Sequence, residues 1–290
     1  MHVVAIMQVA RRLKYRGFLA IKQAQHQCTE ARDLGYRAVA NMLPYTFDAA
    51  AYPLDFVALS TPAVTTEPQH HVPRVIWCVW SGDNPMTPNR LEAMDSIRNT
   101  TPGVEIRLVT PDNLEQWVVP GHPLHEAYPY LSNVHRSDYL QAYLLHHHGG
   151  GYTGVKKHPT PWTSAFETMD RDPEAWVVGY QVPRSAESAW FEGRLGRDVR
   201  RNFSRLVGLG GMVVRANTQL TSDWLGEVER RLDYYTSLLK RSPGNVWGDN
   251  PGYPIPWTKI CSQVFEPLCL RHLDRVRIDP AVKPQLWGHR

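Results

Sequence analysis

The sequence predicts an α/β domain with a mostly parallel sheet flanked by helices, preceded by an N-terminal helical extension. Three observations carry this prediction. Short apolar runs alternate with segments of helical periodicity from residue 73 onward, the run at 75–80 is apolar on both faces, and apolar side chains recur at helical spacing near the N-terminus. Strands that alternate with helices are typical of a parallel sheet, and a strand that is apolar on both faces is typical of its centre.

The extension begins with a predicted helix over 1–43. Ile6, Val9 and Leu13 are spaced for one helical face, and four basic residues (Arg11, Arg12, Lys14 and Arg16) lie among them. Two interpretations stay open for this helix. It packs on the main domain, or it makes peripheral contact with an anionic membrane surface.

The following segment, 44–72, contains four prolines and little periodicity, and it is predicted to be a linker or an irregular wrap. The chain therefore divides into a helical extension with its linker, 1–72, and a main domain, 73–290. Within the main domain, strands are predicted at 75–80, 104–110, 176–181 and 211–215. Helices are predicted at 91–100, 113–118, 133–148 and 221–240.

Composition excludes several classes of protein. The net charge is +4 and no long Lys/Arg run occurs, which argues against nucleic acid as a partner. The four cysteines form no Cys-x-x-Cys pair, which argues against a zinc site and suits a reducing, cytoplasmic compartment. The N-terminal apolar stretch precedes its charges, the reverse of a secretory signal, and no stretch reaches the ~18 apolar residues of a membrane span.

The most informative run joins the helix over 133–148 to three glycines and a turn with two lysines. Asp138 and Gln141 are three residues apart, so both are expected on one helical face, where they can hold one ligand. The glycines, Gly149 to Gly151, are expected to end the helix and to let the backbone approach a bound group closely.

This run resembles the signature of the DXD-type glycosyltransferases related to family 32 and to the clostridial glucosylating toxins. In that signature, a Ser-Asp-x-x-Arg helix leads into Gly-Gly-x-Tyr-x-Asp-x-Asp. The residues that match are Ser137, Asp138, Gly149, Gly150 and Tyr152. The chain departs from the signature at Gln141, which replaces Arg, and at Gly154 and Lys156, which replace the two aspartates.

Other segments extend the resemblance over roughly 73–280. The run 73–80 is similar to the opening strand of the family, and 81–90 is similar to the polar loop that follows it in bacterial members. Segments 176–180 and 253–258 resemble later parts of the family. The resemblance implies a GT-A-like fold and transfer of a sugar from a nucleotide-sugar donor, a UDP- or GDP-sugar, to a hydroxyl acceptor on a polysaccharide, glycolipid or natural product.

The resemblance also implies where the donor binds. Trp77 and Trp80 are three apart on a strand and so face opposite ways, and Trp80, next to the loop, is the expected stacking face for the base. The expected donor-binding residues are Trp80, Asn84, Asp138, Gln141, Gly150, Gly151, Tyr152, Gly154, Lys156, Lys157 and Trp257. No catalytic residue is assigned, because Asp83, Glu167 and Asp249 are equally open as the general base.

The metal of a DXD site lacks its usual ligands here. Mn²⁺ and Mg²⁺ prefer carboxylate oxygens, which neither Gly154 nor Lys156 supplies. We therefore expect no metal cofactor, with Lys156 or Lys157 neutralising the diphosphate, and keep Mn²⁺ or Mg²⁺ as the alternative. The consecutive histidines, His146 to His148, point in different directions around a helix and so cannot share one metal ion. They are expected to interact favourably with the helix dipole at its C-terminal end. A catalytically silent relative that binds a sugar or a partner protein is the alternative function.

Overall fold

Six strands form one mixed sheet in the computed structural model, which describes residues 28–59 and 67–286. The strands are β1 (Val75–Val79), β2 (Glu105–Val109), β3 (Gly150–Thr153), β4 (Val177–Gln181), β5 (Val207–Val214) and β6 (Val276–Ile278). Their order is β2-β1-β3-β5-β4-β6. Strand β5 is antiparallel to both of its neighbours, and the other pairs are parallel, so the predicted mostly parallel α/β sheet is confirmed.

Seven α-helices surround the sheet in the described part of the chain. They are α1 (28–42), α2 (Pro88–Thr100), α3 (Asn133–His147), α4 (Thr163–Arg171), α5 (Gly193–Arg201), α6 (Gln219–Arg241) and α7 (Ser262–Arg271). Short 3-10 turns lie between them, at Ala49–Ala51, Phe56–Ala58, Leu114–Trp117, Tyr128–Tyr130, Phe203–Arg205, Leu273–Arg275 and Pro280–Val282.

The two faces of the sheet pack against different helices. Along β1, Trp77 points into a core shared with α3, α5, α6 and α7, whereas Ile76 and Cys78 point into a core shared with α2 and α4. All three side chains are fully buried. This alternation follows from the two-residue period of a strand, and it makes the domain a three-layer α/β/α structure.

The chain reverses its direction of travel across the sheet at β1. Strand β2 lies on one side of β1, and the next strand in sequence, β3, lies on the other side, parallel to β1. The adjacent carboxyl ends of β1 and β3 therefore flank a topological switch point. In open α/β sheets, the crevice outside such a point is the usual place for a ligand.

Several sequence predictions are corrected in detail. The glycine run was expected to end the helix over 133–148, and it does, but Gly150 also begins the strand β3, which was not predicted. Helices α4, α5 and α7 and strand β6 were not predicted. The segment 44–72, expected to be a linker or an irregular wrap, contributes Tyr52 and Val57 to the core next to α3, α6 and α7.

The N-terminal helix is confirmed over 28–42, and its basic stretch at 11–16 lies outside the described residues. Cys78 is a buried core residue, in keeping with its place in the apolar strand β1. None of the described helices is long and apolar enough to cross a bilayer.

Candidate functional site

A pocket of about 360 Å³ opens outside the carboxyl ends of β1 and β3. The loop after β1, the first turns of α3, the end of β3 and the loop around residue 247 surround it. Its lining residues are Val79, Trp80, Ser81, Gly82, Asn84, Thr87, Arg90, Asn133, Val134, Ser137, Asp138, Tyr152, Gly154, Val155, Lys156, Val246 and Trp247. The pocket therefore occupies the switch point and brings together six residues expected at the site: Trp80, Asn84, Asp138, Tyr152, Gly154 and Lys156.

Trp80 forms one wall. Its side chain is half-buried, and its indole Nε1 donates a hydrogen bond to the carbonyl oxygen of Asn84 at 2.7 Å. This bond fixes the ring against its own loop. Trp77, in contrast, is fully buried and donates from Nε1 to the carbonyl oxygen of Gly149 at 2.9 Å. The expectation that Trp80 rather than Trp77 faces the ligand is consistent with this arrangement.

Asp138 contributes the carboxylate of the pocket. It projects from the first half of α3, where part of it reaches solvent through the pocket mouth while protein atoms surround the rest. Burial raises the pKa of Asp138 to about 7, although a hydrogen bond from the Cys261 thiol and the charge of Lys156 oppose that rise. Near neutral pH this group therefore exists both as a carboxylate and as a carboxylic acid.

Lys156 and Arg90 contribute the positive charge. Burial lowers the pKa of Lys156, the neighbouring Arg90 lowers it further, and Asp138 acts in the opposite direction. Arg90 projects from the first turn of α2 and donates from Nη1 to the carbonyl oxygen of Val155. The sequence alone does not single out Arg90, because its role depends on α2 and the end of β3 meeting at the pocket.

Three other expected site residues lie outside the pocket lining. Gln141 is buried and donates from Nε2 to the carbonyl oxygen of Leu209 at 3.0 Å. Lys157 points to the surface, where Nζ pairs with Glu92 Oε2 at 2.5 Å. Trp257 is exposed and does not line the pocket.

The glycines serve the sheet rather than the pocket. Gly150 has a φ of +91°, and a Cβ atom built there would lie 2.9 Å from the carbonyl oxygen of Val75. A Cβ atom on Gly151 would lie 2.8 Å from Ile76 Cγ1 and 3.0 Å from Trp162 Cζ3. Neither glycine lines the pocket, so the close approach is between protein segments and not toward a ligand.

A loop over residues 243–257 covers the start of α3 and completes the pocket. The amides of Asn133 and Val134 donate to the carbonyl oxygens of Asn245 and Val246, at 3.4 and 3.3 Å. The Tyr253 hydroxyl lies 2.8 Å from Nδ1 of the buried His135. These contacts hold the loop in place and put Trp247, which the resemblance did not assign to donor binding, on the pocket wall.

None of the three open candidates for a general base lines the pocket. Asp83 is exposed on the loop after β1. Glu167 pairs with Arg171 on the surface of α4, and Asp249 accepts a hydrogen bond from Asn245 Nδ2 at 2.7 Å. Asp138 is the only carboxylate among the lining residues.

The residues present do not fit a divalent metal. Hard cations prefer several oxygen ligands, whereas this pocket offers one carboxylate, whose pKa is raised, beside a lysine and an arginine. Elsewhere in the described residues, no group of three or more His, Cys, Asp and Glu side chains is arranged to hold a metal ion.

The histidines at the end of α3 have separate partners. His146 Nδ1 lies 3.1 Å from Thr221 Oγ1, the His147 ring packs at a tilt against Tyr143 with centroids 4.5 Å apart, and His148 Nε2 donates to the carbonyl oxygen of Trp117 at 2.8 Å. Burial lowers the pKa of His146 to about 4 and that of His147 to about 3. Both are neutral at pH 7, so the expected interaction of charged histidines with the helix dipole is wrong for these two.

Comparison with known proteins finds no matching family model, no matching curated protein and no matching solved structure. Function is therefore inferred from the pocket and from the residues that line it.

Proposed function

We propose that this protein is a glycosyltransferase that moves a sugar from a nucleotide-sugar donor, a UDP- or GDP-sugar, to a hydroxyl acceptor. The observation that carries the proposal is the pocket at the switch point between β1 and β3. It combines an aromatic wall, two cationic side chains and one titratable carboxyl group. A nucleotide diphosphate sugar has a planar base, an anionic diphosphate and a sugar with several hydroxyls, one chemical feature for each of these groups.

Each lining group has a defined task in this proposal. The indole face of Trp80 stacks on the base, as aromatic side chains do in nucleic-acid sites. Lys156 and Arg90 stabilise the negative charge that develops on the diphosphate as the glycosidic bond breaks. Asp138 binds sugar hydroxyls, accepting hydrogen bonds as a carboxylate and also donating one when protonated. The donor sugar is thereby oriented before the acceptor hydroxyl attacks its anomeric carbon.

Charge neutralisation by side chains takes the place of a metal in this proposal. The chain resembles DXD-type glycosyltransferases in its helix and glycine run, yet Gly154 and Lys156 occupy the positions of the two aspartates. A lysine at the second position delivers a positive charge to the turn at which a metal would otherwise bind.

The alternative is a catalytically silent protein of the same architecture that binds a sugar or a partner protein. One observation favours it: Asp138 is the only carboxylate in the pocket lining, and no second carboxylate stands ready as a base. Binding and turnover separate the two functions, because only the enzyme releases nucleoside diphosphate from the donor.

The test is a thermal-shift panel of UDP- and GDP-sugars, followed by a coupled assay for nucleoside diphosphate release. A ligand at ~100 times its dissociation constant stabilises a protein by about 2.7 kcal/mol, which gives a clear shift in Tm. Stabilisation by one donor class together with release of its diphosphate supports the enzyme. Stabilisation without release supports the silent alternative, and no stabilisation by any donor contradicts the transferase.

A further inference from the structure

The outward face of α5 is unusually rich in arginine. Between Gly193 and Arg205, the chain carries five arginines and only one acidic residue, Asp198. With about 100° per residue, Arg194, Arg197 and Arg201 fall on one side of the helix, opposite the buried Leu195 and Val199. Arg200 lies at the margin of the same side.

Most of this charge has no partner within the described residues. Arg194 pairs with Asp198 at 3.5 Å, and the Asp198 carboxylate is also occupied by the Tyr52 hydroxyl at 2.7 Å. The side chains of Arg197, Arg200 and Arg201 make neither a hydrogen bond nor an ion pair with another described residue. We call Arg194, Arg197, Arg200 and Arg201 the basic surface.

Exposed aliphatic side chains occur in the segment 42–54, which meets the basic surface at Leu43. Leu43 lines a polar cleft of about 220 Å³ together with Arg194 and Arg201. Leu43 is 63% exposed, and its neighbour Met42 is 78% exposed. Leu54, two residues beyond the Tyr52 that contacts Asp198, is 98% exposed. Because these side chains are mostly exposed, they bury little apolar area within the described structure.

The carboxylates near this surface are fewer than its arginines. Asp48 and Asp55 lie in the same segment as Leu54, and Asp198 lies on α5. The four arginines of the basic surface outnumber these three carboxylates.

We propose that the basic surface and the adjoining Met42, Leu43 and Leu54 bind the surface of an anionic lipid bilayer. Arginines are attracted to anionic headgroups, and aliphatic side chains that reach the boundary of the acyl chains add a hydrophobic contribution. A nucleic acid or an acidic protein loop complements the arginines but leaves the aliphatic residues in water, so the lipid surface is the better match to both features. This site is separate from the pocket and does not depend on the proposed transferase activity.

The experiment is co-sedimentation of the full-length protein with two kinds of vesicle, phosphatidylcholine alone and phosphatidylcholine mixed with phosphatidylglycerol. The wild type is expected to bind the mixed vesicles and to dissociate as salt is raised. Arg197→Glu/Arg201→Glu is expected to lower the partition coefficient at least about tenfold, because each basic residue near the surface contributes to the attraction. Leu43→Ser/Leu54→Ser is expected to weaken binding with the arginines intact.

The matched control is Arg241→Glu/Lys283→Glu, which changes the net charge equally at two exposed positions elsewhere. Equal losses in the control and in the basic-surface variant overturn the proposal, as does unchanged binding in the latter. Retention of the wild type on heparin without binding to mixed vesicles also overturns it and indicates a soluble polyanion instead. Unchanged melting curves establish that each variant is folded, and the single exposed change Arg197→Gln replaces the double variant if that one unfolds.

Discussion

Asp138 and Lys156 line the same pocket, where the charge of each favours the ionised form of the other while burial disfavours both. Burial prevails for both groups, so the pKa of Asp138 is raised to about 7 and that of Lys156 is lowered. The charge state of the pocket is therefore adjustable near neutral pH. An anionic ligand beside this pair disfavours the Asp138 carboxylate further, and binding is expected to be accompanied by proton uptake.

Asp138→Asn is the direct test of this relationship. We expect about tenfold weaker donor binding, from the loss of a charged hydrogen-bonding group, and loss of the proton uptake. Calorimetry in two buffers of different ionisation enthalpy measures both quantities. The control is Asp249→Asn, an exposed change outside the pocket lining. Unchanged donor affinity in Asp138→Asn would show that Asp138 does not contact the donor.

The same substitution has a predicted effect on stability. Because the pKa of Asp138 is raised in the folded state, its contribution is present at low pH and is lost as pH rises through about 7. Asp138→Asn removes this loss, so the variant is expected to unfold at a higher temperature than the wild type at pH 8 but not at pH 4. Thermal denaturation across that range measures the difference.

Lys156 is expected to contribute more to donor binding than Lys157, with little dependence on divalent metal. Lys156 lines the pocket, whereas Lys157 pairs with Glu92 outside it. Lys156→Ala is expected to weaken donor binding roughly tenfold to a hundredfold, and Lys157→Ala is the matched control. Affinities measured with EDTA and with Mn²⁺ complete the experiment. Strong Mn²⁺ dependence in the wild type contradicts the metal-free site.

Restoring a carboxylate at Gly154 provides the converse experiment. A Cβ atom there meets only Lys156 Cε, at 3.8 Å, so Gly154→Asp is sterically allowed. We expect the variant to gain some Mn²⁺ dependence of donor binding, limited by repulsion between the ion and Lys156. Equal donor affinity with and without Mn²⁺ in this variant would show that position 154 does not face the diphosphate.

Trp80 and Trp257 make a second matched pair. Trp80 lines the pocket, and Trp257 is exposed outside it. Trp80→Ala is expected to weaken donor binding by about 1–3 kcal/mol through loss of base stacking, while Trp257→Ala leaves it unchanged. Titration with the free nucleoside diphosphate isolates this contribution from that of the sugar. A larger loss of donor affinity in Trp257→Ala than in Trp80→Ala would instead place the base of the donor next to Trp257.

Two glycines of one run are expected to respond differently to a methyl group. A Cβ atom on Gly151 crowds Ile76 and Trp162, whereas Gly154 has space. Gly151→Ala is expected to destabilise the fold by about 1–3 kcal/mol, as overpacked cores do, and Gly154→Ala to be nearly neutral. Urea denaturation measures both. An equally stable Gly151→Ala variant would show that the sheet adjusts at β3.

The fold was predictable where one strand or helix is decided by its own residues. The run at 75–80 predicts a central strand because apolar residues occupy both of its faces, and this run forms β1. The helix over 133–148 was predicted to within one residue, and in the structure Ser132 caps its start by accepting the His135 amide at 3.2 Å. The glycine-rich β3 escaped prediction because its strand geometry comes from pairing with β1 and β5, not from side-chain propensity.

The site was predictable in part for a similar reason. Asp138 and Trp80 were identified because they lie in recognisable segments, and both line the pocket. The spacing of Gln141 and Asp138 puts both residues on one helical face. In the structure, however, the Gln141 side chain donates a hydrogen bond to the carbonyl oxygen of Leu209 on β5, and only the tertiary structure brings β5 next to α3. Arg90 and Trp247 belong to the pocket through the packing of α2 and of the 243–257 loop, which spacing along the chain does not encode.

The covered start of α3 determines what kind of selectivity the pocket can have. Helix N-termini commonly hold phosphates through free backbone amides, which fix each oxygen in direction as well as in charge. Here the amides of Asn133 and Val134 are already bonded to loop carbonyls. An anion must then be neutralised by the side chains of Lys156 and Arg90 instead of by the backbone of the helix. Discrimination between donors would consequently reside in the base and the sugar, and a change of nucleotide preference would require few changes around the diphosphate.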